Sequence, residues 1–319
     1  MNFCVVTIAV GNSYYYGLAE NLLKSFLLWN SQNRIEFLLL TDNTDYYKDY
    51  KNITGIRINH INLADNDKSF TSKFLLYEHV FAEENLFIDC DCLIYKDISF
   101  VFDAFADKNF SAVGDDIFTG EFFCDVPATL KKFNISKMPK FVGSVYYFKN
   151  NPVAASIFEK AKELKNDYDP LGFIRLNNKE NEEPLFAVSM AIHNEEVMVN
   201  DGHIKVDMMY YKKITSNILK GQTKASGGLL HITGGENIPE TAAPAILHFN
   251  SRFSESRLYK NEVFRLNHVN SNIFFVETIL LIKYRLPNLI KTSIKNLFRP
   301  VFHLIAGPRK IKIAERSTG

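Results

Sequence analysis

Three D-x-D triplets stand in the sequence: Asp65-Asn66-Asp67, Asp89-Cys90-Asp91 and Asp167-Tyr168-Asp169. Carboxylates two residues apart can offer oxygens to one hard divalent cation, Mg²⁺ or Mn²⁺, and such a cation can hold a diphosphate. Context separates the three. Asp65 and Asp167 stand in polar stretches and read as solvated loop acids. Asp89 and Asp91 close the apolar run Leu86-Phe87-Ile88 and are followed at once by Leu93-Ile94. Carboxylates there need a cation or hydrogen bonds, because burying an unpaired charge is too costly. Read as a strand end, the pair shares one face and aims at one metal. Cys4, Cys90, Cys92 and Cys124 show neither a disulfide framework nor zinc-finger spacing, and a reducing cytosol fits them.

The elements that must position this pair follow from periodicity. Phe3 to Val10 is a continuous apolar run, as in a buried parallel strand, and Gly11-Asn12-Ser13 supplies turn and cap chemistry. Leu18, Leu22, Phe26 and Trp29 recur at helical spacing. Ile35 to Leu40, Ile56 to Ile61, Leu86 to Ile88 and Phe110 to Val113 read as strands, the last ending at Gly114-Asp115-Asp116. Ser72 to Phe81 predicts a helix. This order implies an α/β fold with a mainly parallel sheet and helices on both faces, whose ligands sit beyond the carboxyl ends of the strands. Further on, Phe141 to Phe148 and Ala245 to Phe249 read as strands, and Pro152 to Lys165 and Pro184 to His193 as helices. Asp201 to Lys213 reads as strand and loop, and Gly221 to Glu240 as a mobile loop.

The composition is that of a folded chain: 319 residues, 46% hydrophobic and 23% charged. Its net charge of +1 hides an asymmetry. From Ile273 onward nine Lys and Arg face two Glu, or +7, which leaves −6 on the first 272 residues. An acidic body argues against a nucleic-acid groove, and a basic apolar tail points to an anionic surface. The N-terminus lacks a basic region before its first strand, which argues against a secretory signal.

The block Ser72-Lys73-Phe74 to His79, then Leu86-Phe87-Ile88-Asp89-Cys90-Asp91-Cys92-Leu93-Ile94, resembles the central block of GT-A nucleotide-sugar glycosyltransferases, a Rossmann-like fold. The likeness is to glycogenin and the bacterial lipopolysaccharide galactosyl- and glucosyltransferases. Phe141 to Phe148 resembles that family's small-residue strand under the donor sugar. Glu182-Glu183-Pro184-Leu185-Phe186 resembles its acidic helix start, and Ile246-Leu247-His248-Phe249-Asn250 its late strand with a third metal ligand. The resemblance covers about residues 3 to 253. Val142 replaces the usual Asn, Asn181-Glu182-Glu183 replaces Asp-Gln-Asp, and Ser251-Arg252-Phe253 follows where Gly and Lys-Pro-Trp are usual. Those departures leave donor sugar and acceptor open.

The resemblance implies roles residue by residue. Asp91 and His248 would bind Mn²⁺ or Mg²⁺, with Asp89 bridging metal and ribose, and His231 is the rival ligand. Lys73 would meet the diphosphate or donor sugar. Thr7, Ala9 and Asn12 would line base and ribose, with Tyr14 or Tyr16 stacking on the base. Gly143 and Ser144 would lie under the donor sugar. Asp115 or Asp116 would bond sugar hydroxyls, and Glu183 would face the anomeric carbon or the acceptor. The implied reaction moves a sugar from a nucleoside-diphosphate sugar to a saccharide or lipid-linked acceptor in bacterial surface polysaccharide or lipopolysaccharide synthesis. Retention is the expected outcome, although Glu182 or Glu183 as a base would serve inversion. Two other readings stand beside it: a haloacid-dehalogenase-type phosphatase, which uses a strand-end D-x-D, and a non-catalytic membrane adaptor with a degenerate transferase fold.

Residues 1–255 are expected to form the transferase domain and 256–319 a C-terminal segment of basic amphipathic helices. Ile290, Ile294, Leu297, Phe298, Val301 and Ile305 fall in one arc at helical spacing, beside Lys291, Lys295 and Arg299. No stretch there is long enough to span a bilayer. The expected location is cytoplasmic, peripheral on the inner face of the membrane, with a homodimer through this segment as the alternative use.

Overall fold

The computed structural model describes residues 2–63, 69–228 and 238–307. Asp65-Asn66-Asp67, His231 and Gly234-Gly235 lie outside the described residues, as do Arg309, Lys310, Lys312 and Arg316. The chain divides into two units, Met1–Leu266 and Asn267–Gly319.

The strands of the first unit are β1 (Phe3–Ala9), β2 (Ile35–Thr41), β3 (Ile56–His60), β4 (Glu84–Ile88), β5 (Cys92–Ile94), β6 (Phe110–Ile117) and β7 (Met138–Lys149). They continue with β8 (Met198–Val199), β9 (Lys205–Asp207), β10 (Tyr211–Asn217), β11 (Gln222–Gly228), β12 (Thr241–Ala242) and β13 (Ile246–His248). The main sheet has the order β3-β2-β1-β4-β7-β6-β8. Its first four strands are mutually parallel, and β7 alone runs against both of its neighbours. Helices cover both faces, so strands such as β1 are buried on each side and read as unbroken apolar runs. Val5 and Ala9 of β1 join one core with Leu22 and Phe26 of the helix Ser13–Asn30. Val6 and Ile8 join the opposite core with Phe158 and Phe186.

A second sheet, β5-β13-β9, hangs beyond the end of β4. Its central strand β13 pairs antiparallel with β5 and parallel with β9, so His248 stands opposite Cys92 on one side and Asp207 on the other. A third sheet, β10-β11-β12, includes residues expected to form a loop. Gln222 to Gly228 is a strand there because Thr223 and Ala225 alternate inward.

Three expectations about local structure change. Ser72 to Phe81 is not one helix but a 3-10 segment, Phe70–Leu75, followed by a single turn, Leu76–His79. Asp115 and Asp116 do not follow a strand; they lie within β6, opposite Lys140 and Pro139 of β7. Asp89 and Asp91 occupy a tight turn between β4 and β5, closed by the Cys92 N–H donating to the Asp89 carbonyl at 3.0 Å. The turn, not a pleated face, brings their carboxylates to one side of the sheet.

The first unit runs past the expected boundary at residue 255. The helix Arg257–Leu266 buries Tyr259 and Leu266, and Tyr259 packs edge-on against Phe249 at 5.0 Å. The second unit holds the helix Ile273–Leu280, a π-helical turn over Leu281–Arg285 and the helix Leu286–Ala306, with Pro300 inside it. Ile290, Ile294, Leu297, Phe298 and Val301 are all exposed. Among the described residues, no helix is long and apolar enough to cross a membrane.

Candidate active site

The β4–β5 turn, the 3-10 segment and the start of the helix Ser13–Asn30 enclose a cleft of about 340 Å³, within the usual range for small-molecule sites. Tyr14, Tyr15, Lys73, Asp89, Asp91, Asn177 and Lys179 line it, with Ile8, Val10 and Phe87 beneath.

His248 meets this cleft through Asp91. Its Nε2 lies 3.1 Å from Asp91 Oδ1, and its Nδ1 lies 2.5 Å from Asp207 Oδ1. Asp207 is buried and also takes a 3.0 Å contact from the buried Lys205 ammonium, which donates further to Ser144 Oγ at 3.1 Å and the Val142 carbonyl at 3.0 Å. Burial works to raise the Asp207 carboxyl, but Lys205 and His248 overcome it and bring it down to about 2. Burial likewise works to lower the His248 imidazole, and Asp91 and Asp207 overcome that and push it up to about 10. With Asp207 fixed as an acceptor, the Nδ1 proton is held and Nε2 faces Asp91.

That arrangement fits a divalent cation. Asp91 Oδ1 is buried and makes no hydrogen bond of good geometry, even though Nε2 is near. Two ligands about 2.1 Å from a hard cation and at right angles stand about 3.0 Å apart. The observed 3.1 Å between Oδ1 and Nε2 matches that separation.

Asp89 is held from the other side. The Lys73 ammonium lies 3.2 Å from Asp89 Oδ2 and 2.6 Å from Glu182 Oε1, and donates to the Gly143 carbonyl at 2.7 Å. Burial works to lower the Lys73 ammonium, but Asp89 and Glu182 hold it above its ordinary value. Glu182 and Glu183 open the helix Glu182–Ile192, capped by Asn181 accepting from the Glu183 N–H. Burial and the neighbouring Glu182 push the Glu183 carboxyl up to about 7, against the Gly143 N–H that donates to its Oε1 at 2.7 Å.

No protein-family model matches this sequence, and no curated protein does. Solved structures do. The galactosyltransferase LgtC, in complex with donor and acceptor sugar analogues, superposes at a TM-score of 0.53 and 14% identity, over 84% of this chain and 95% of LgtC. The bifunctional glycosyltransferase WbbM in its apo form gives 0.52 at 10% identity, over 86% of this chain and 51% of WbbM. Against GlyE of Streptococcus pneumoniae TIGR4, a glycosyltransferase, the chain spans 46% of that protein's length with 62% of its own, at a TM-score of 0.43 and 13% identity. The fold is that of the GT-A glycosyltransferases.

Within this GT-A body the expected site residues divide. Asp89, Asp91 and Lys73 line the cleft, and His248 adjoins it through Asp91. Tyr14 lines it with its hydroxyl 2.5 Å from Ser254 Oγ, whereas Tyr16 is buried and donates to Asp42. Thr7 and Ala9 turn the other way: both are buried in the sheet, and Ile8 and Val10 face the cleft instead. Asn12 spends its side chain as the N-cap, accepting from the Tyr14 and Tyr15 N–H groups. Gly143 and Ser144 lie beneath the acids. A Cβ at Gly143 would stand 2.4 Å from Tyr146 Oη and 2.6 Å from Glu182 Oε1, so a larger residue would have to displace these side chains. Asp116 is not among the cleft-lining residues and instead accepts from Lys137 at 2.7 Å, which also binds Glu196.

Asp207, Lys205, Tyr15, Asn177 and Lys179 were not visible as site residues. Asn177 and Asn178, both at positive φ, form a two-residue turn between Leu176 and Lys179. An Asn-Asn pair is a hairpin signal, so this turn was open to sequence reasoning. Asp207 and Lys205 carried no such signal, because only the β9–β13 register brings them to His248.

Proposed function

We propose that this chain is a metal-dependent glycosyltransferase that moves a sugar from a nucleoside-diphosphate sugar to a saccharide or lipid-linked acceptor, with retention at the anomeric carbon. One observation carries the reading: in a GT-A fold, Asp91 lines a ligand-sized cleft and stands at cation-ligand spacing from the buried His248. A bound Mn²⁺ or Mg²⁺ would neutralise the diphosphate and stabilise the departing nucleoside diphosphate. Asp207 keeps the His248 ring in one tautomer and orientation. Lys73 fixes Asp89 for metal and ribose. Tyr14 and Tyr15, exposed at the cleft rim, offer faces to the base.

Retention is supported by the state of the two helix-start acids. Glu182 is paired to Lys73, Glu183 is held by the Gly143 N–H and Asn181, and neither is among the residues that line the cleft where an acceptor would sit. Catalysis then rests on positioning and on leaving-group stabilisation. The second unit, an apolar helix face beside Lys291, Lys295 and Arg299, supports a peripheral place on an anionic membrane surface. A panel of nucleotide sugars, assayed for nucleoside-diphosphate release with Mn²⁺ and with chelator, tests the proposal. Turnover of one donor that chelator abolishes is the expected result. Metal-dependent donor binding without release or transfer would favour the adaptor, and no binding of any nucleotide sugar would sink the reading.

A further inference from the structure

Two cleft-lining residues, Asn177 and Lys179, have no task in the mechanism above. They stand on the segment between the short helix Tyr168–Leu171 and the helix Glu182–Ile192. That segment is a stiff strap. Both of its feet rest on one hydroxyl of the buried Tyr168, which donates to the Ile174 carbonyl at 2.8 Å and accepts from the Asn181 N–H at 3.1 Å. The Ile174 N–H donates to the Phe123 carbonyl at 2.7 Å. At the tip, Leu176 and Lys179 exchange backbone hydrogen bonds of 2.8 and 3.0 Å around the left-handed pair Asn177 and Asn178. Charge on the strap is sorted as well. Its one acid, Glu180, lies 3.2 Å from Arg175, which also holds Asp169 through two contacts of 2.9 Å. Lys179 is exposed, and among the described residues its ammonium makes no ion pair or hydrogen bond. Lys73, the other lysine lining the cleft, is engaged by Asp89 and Glu182.

We propose that Lys179, carried on this strap, is a donor-contacting residue whose ammonium binds an anionic oxygen of the nucleotide sugar. This rests on the reading of the cleft as the donor site and adds a residue to it. A backbone fixed before the ligand arrives lowers the ordering cost of the contact. A hydrogen bond from an ammonium to an ionised oxygen is also among the stronger kinds. Two oxygens of this chemistry are open to it, on the diphosphate and on a sugar that bears a carboxylate. Charge favours the diphosphate. Asp89, Asp91, Glu182 and Asp207 outnumber Lys73 and Lys205 by two, and a divalent cation is matched by the diphosphate it holds. The loaded site therefore stays negative, which Lys179 relieves and a further carboxylate would worsen.

Full-length protein with Mn²⁺ is titrated calorimetrically with UDP, GDP, CDP and ADP, and then with the hexose and hexuronate esters of whichever binds. Lys179→Met should weaken the bare nucleoside diphosphate about tenfold and make its binding less sensitive to salt. Lys179→Arg should restore most of the affinity. The urea midpoint of Lys179→Met should match wild type, because the ammonium has no partner in the protein to lose. Tyr168→Phe removes the hydroxyl under both feet of the strap. It should cost about threefold in wild type and nothing further in the Lys179→Met background. Additive losses would overturn the part given to the strap. A loss confined to the hexuronate ester supports the contact and moves it to the sugar carboxylate. Equal affinities of wild type and Lys179→Met for every ligand overturn the Lys179 contact and leave the donor site standing. Wild type that binds none of the nucleotides sinks the donor-site reading itself.

Discussion

Asp91→Asn keeps the size of the side chain and removes the charge that faces His248 Nε2. The expected outcome is loss of Mn²⁺-dependent donor binding, at least about tenfold by titration calorimetry, in a protein that still folds. Normal Mn²⁺-stimulated turnover would move the metal elsewhere. Glu183 bears on pH. Its carboxyl is pushed up to about 7 in the folded chain from an ordinary 4.5. The folded state then binds the extra proton between those values, so stability falls as pH rises through that window and levels off above it. Glu183→Gln should remove that slope and leave the variant more stable than wild type at pH 8, by on the order of 2 kcal/mol. Urea melts at pH 5 and pH 8 measure it, and an unchanged slope would refute the shift. Asp89, Asp91 and His248 were legible as residues because the acids interrupt an apolar run and the His ends one. Lys205 and Asp207 were not, since a buried ion pair within a three-residue strand looks like any polar stretch until its neighbours are known.

The strands were legible as elements, but not which way each one faces. β1 is apolar on both faces, so its periodicity could not say that Ile8 and Val10, rather than Thr7 and Ala9, look into the cleft. Asn12 was equally ambiguous, because a cap and a ribose ligand call for the same side chain. β7 shows what an element does for the site. Its reversed direction lays Val145 beside Ile88, and the Ser144 carbonyl then accepts the Asp89 N–H at 2.8 Å. Gly143 leaves room for Tyr146, Glu182 and Glu183 at that point. Gly143→Ala is expected to destabilise the fold by about 1–3 kcal/mol through overpacking and to weaken donor binding along with it. Chemical denaturation checks the first, and titration calorimetry with the donor the second. A fully stable Gly143→Ala variant with normal donor affinity would show that the acids are not seated by this strand.

At the scale of the molecule the chain is two units, and the proposed chemistry lies wholly in Met1–Leu266. Cutting before Asn267 should leave a folded, soluble body that still hydrolyses donor slowly. The full chain should float with anionic vesicles at low salt and release as salt rises, each engaged Lys or Arg contributing about 1 kcal/mol. Full-length protein that stays at the bottom of the gradient at low salt, or a truncated body that unfolds, would make the second unit a packing or dimerisation element. The pairing of β5 with β13 carries a consequence for synthesis. β5 begins at Cys92, and its antiparallel partner among the described residues begins at Ile246, 154 positions later. At roughly 5–20 residues per second, a ribosome needs about 8–30 s to bridge that gap. For that time Cys92-Leu93-Ile94 emerges with an unpaired backbone edge and a carboxylate turn beside it. The nascent chain is then at its most exposed to off-pathway strand addition, and a stop codon anywhere before residue 246 would leave that edge permanently open.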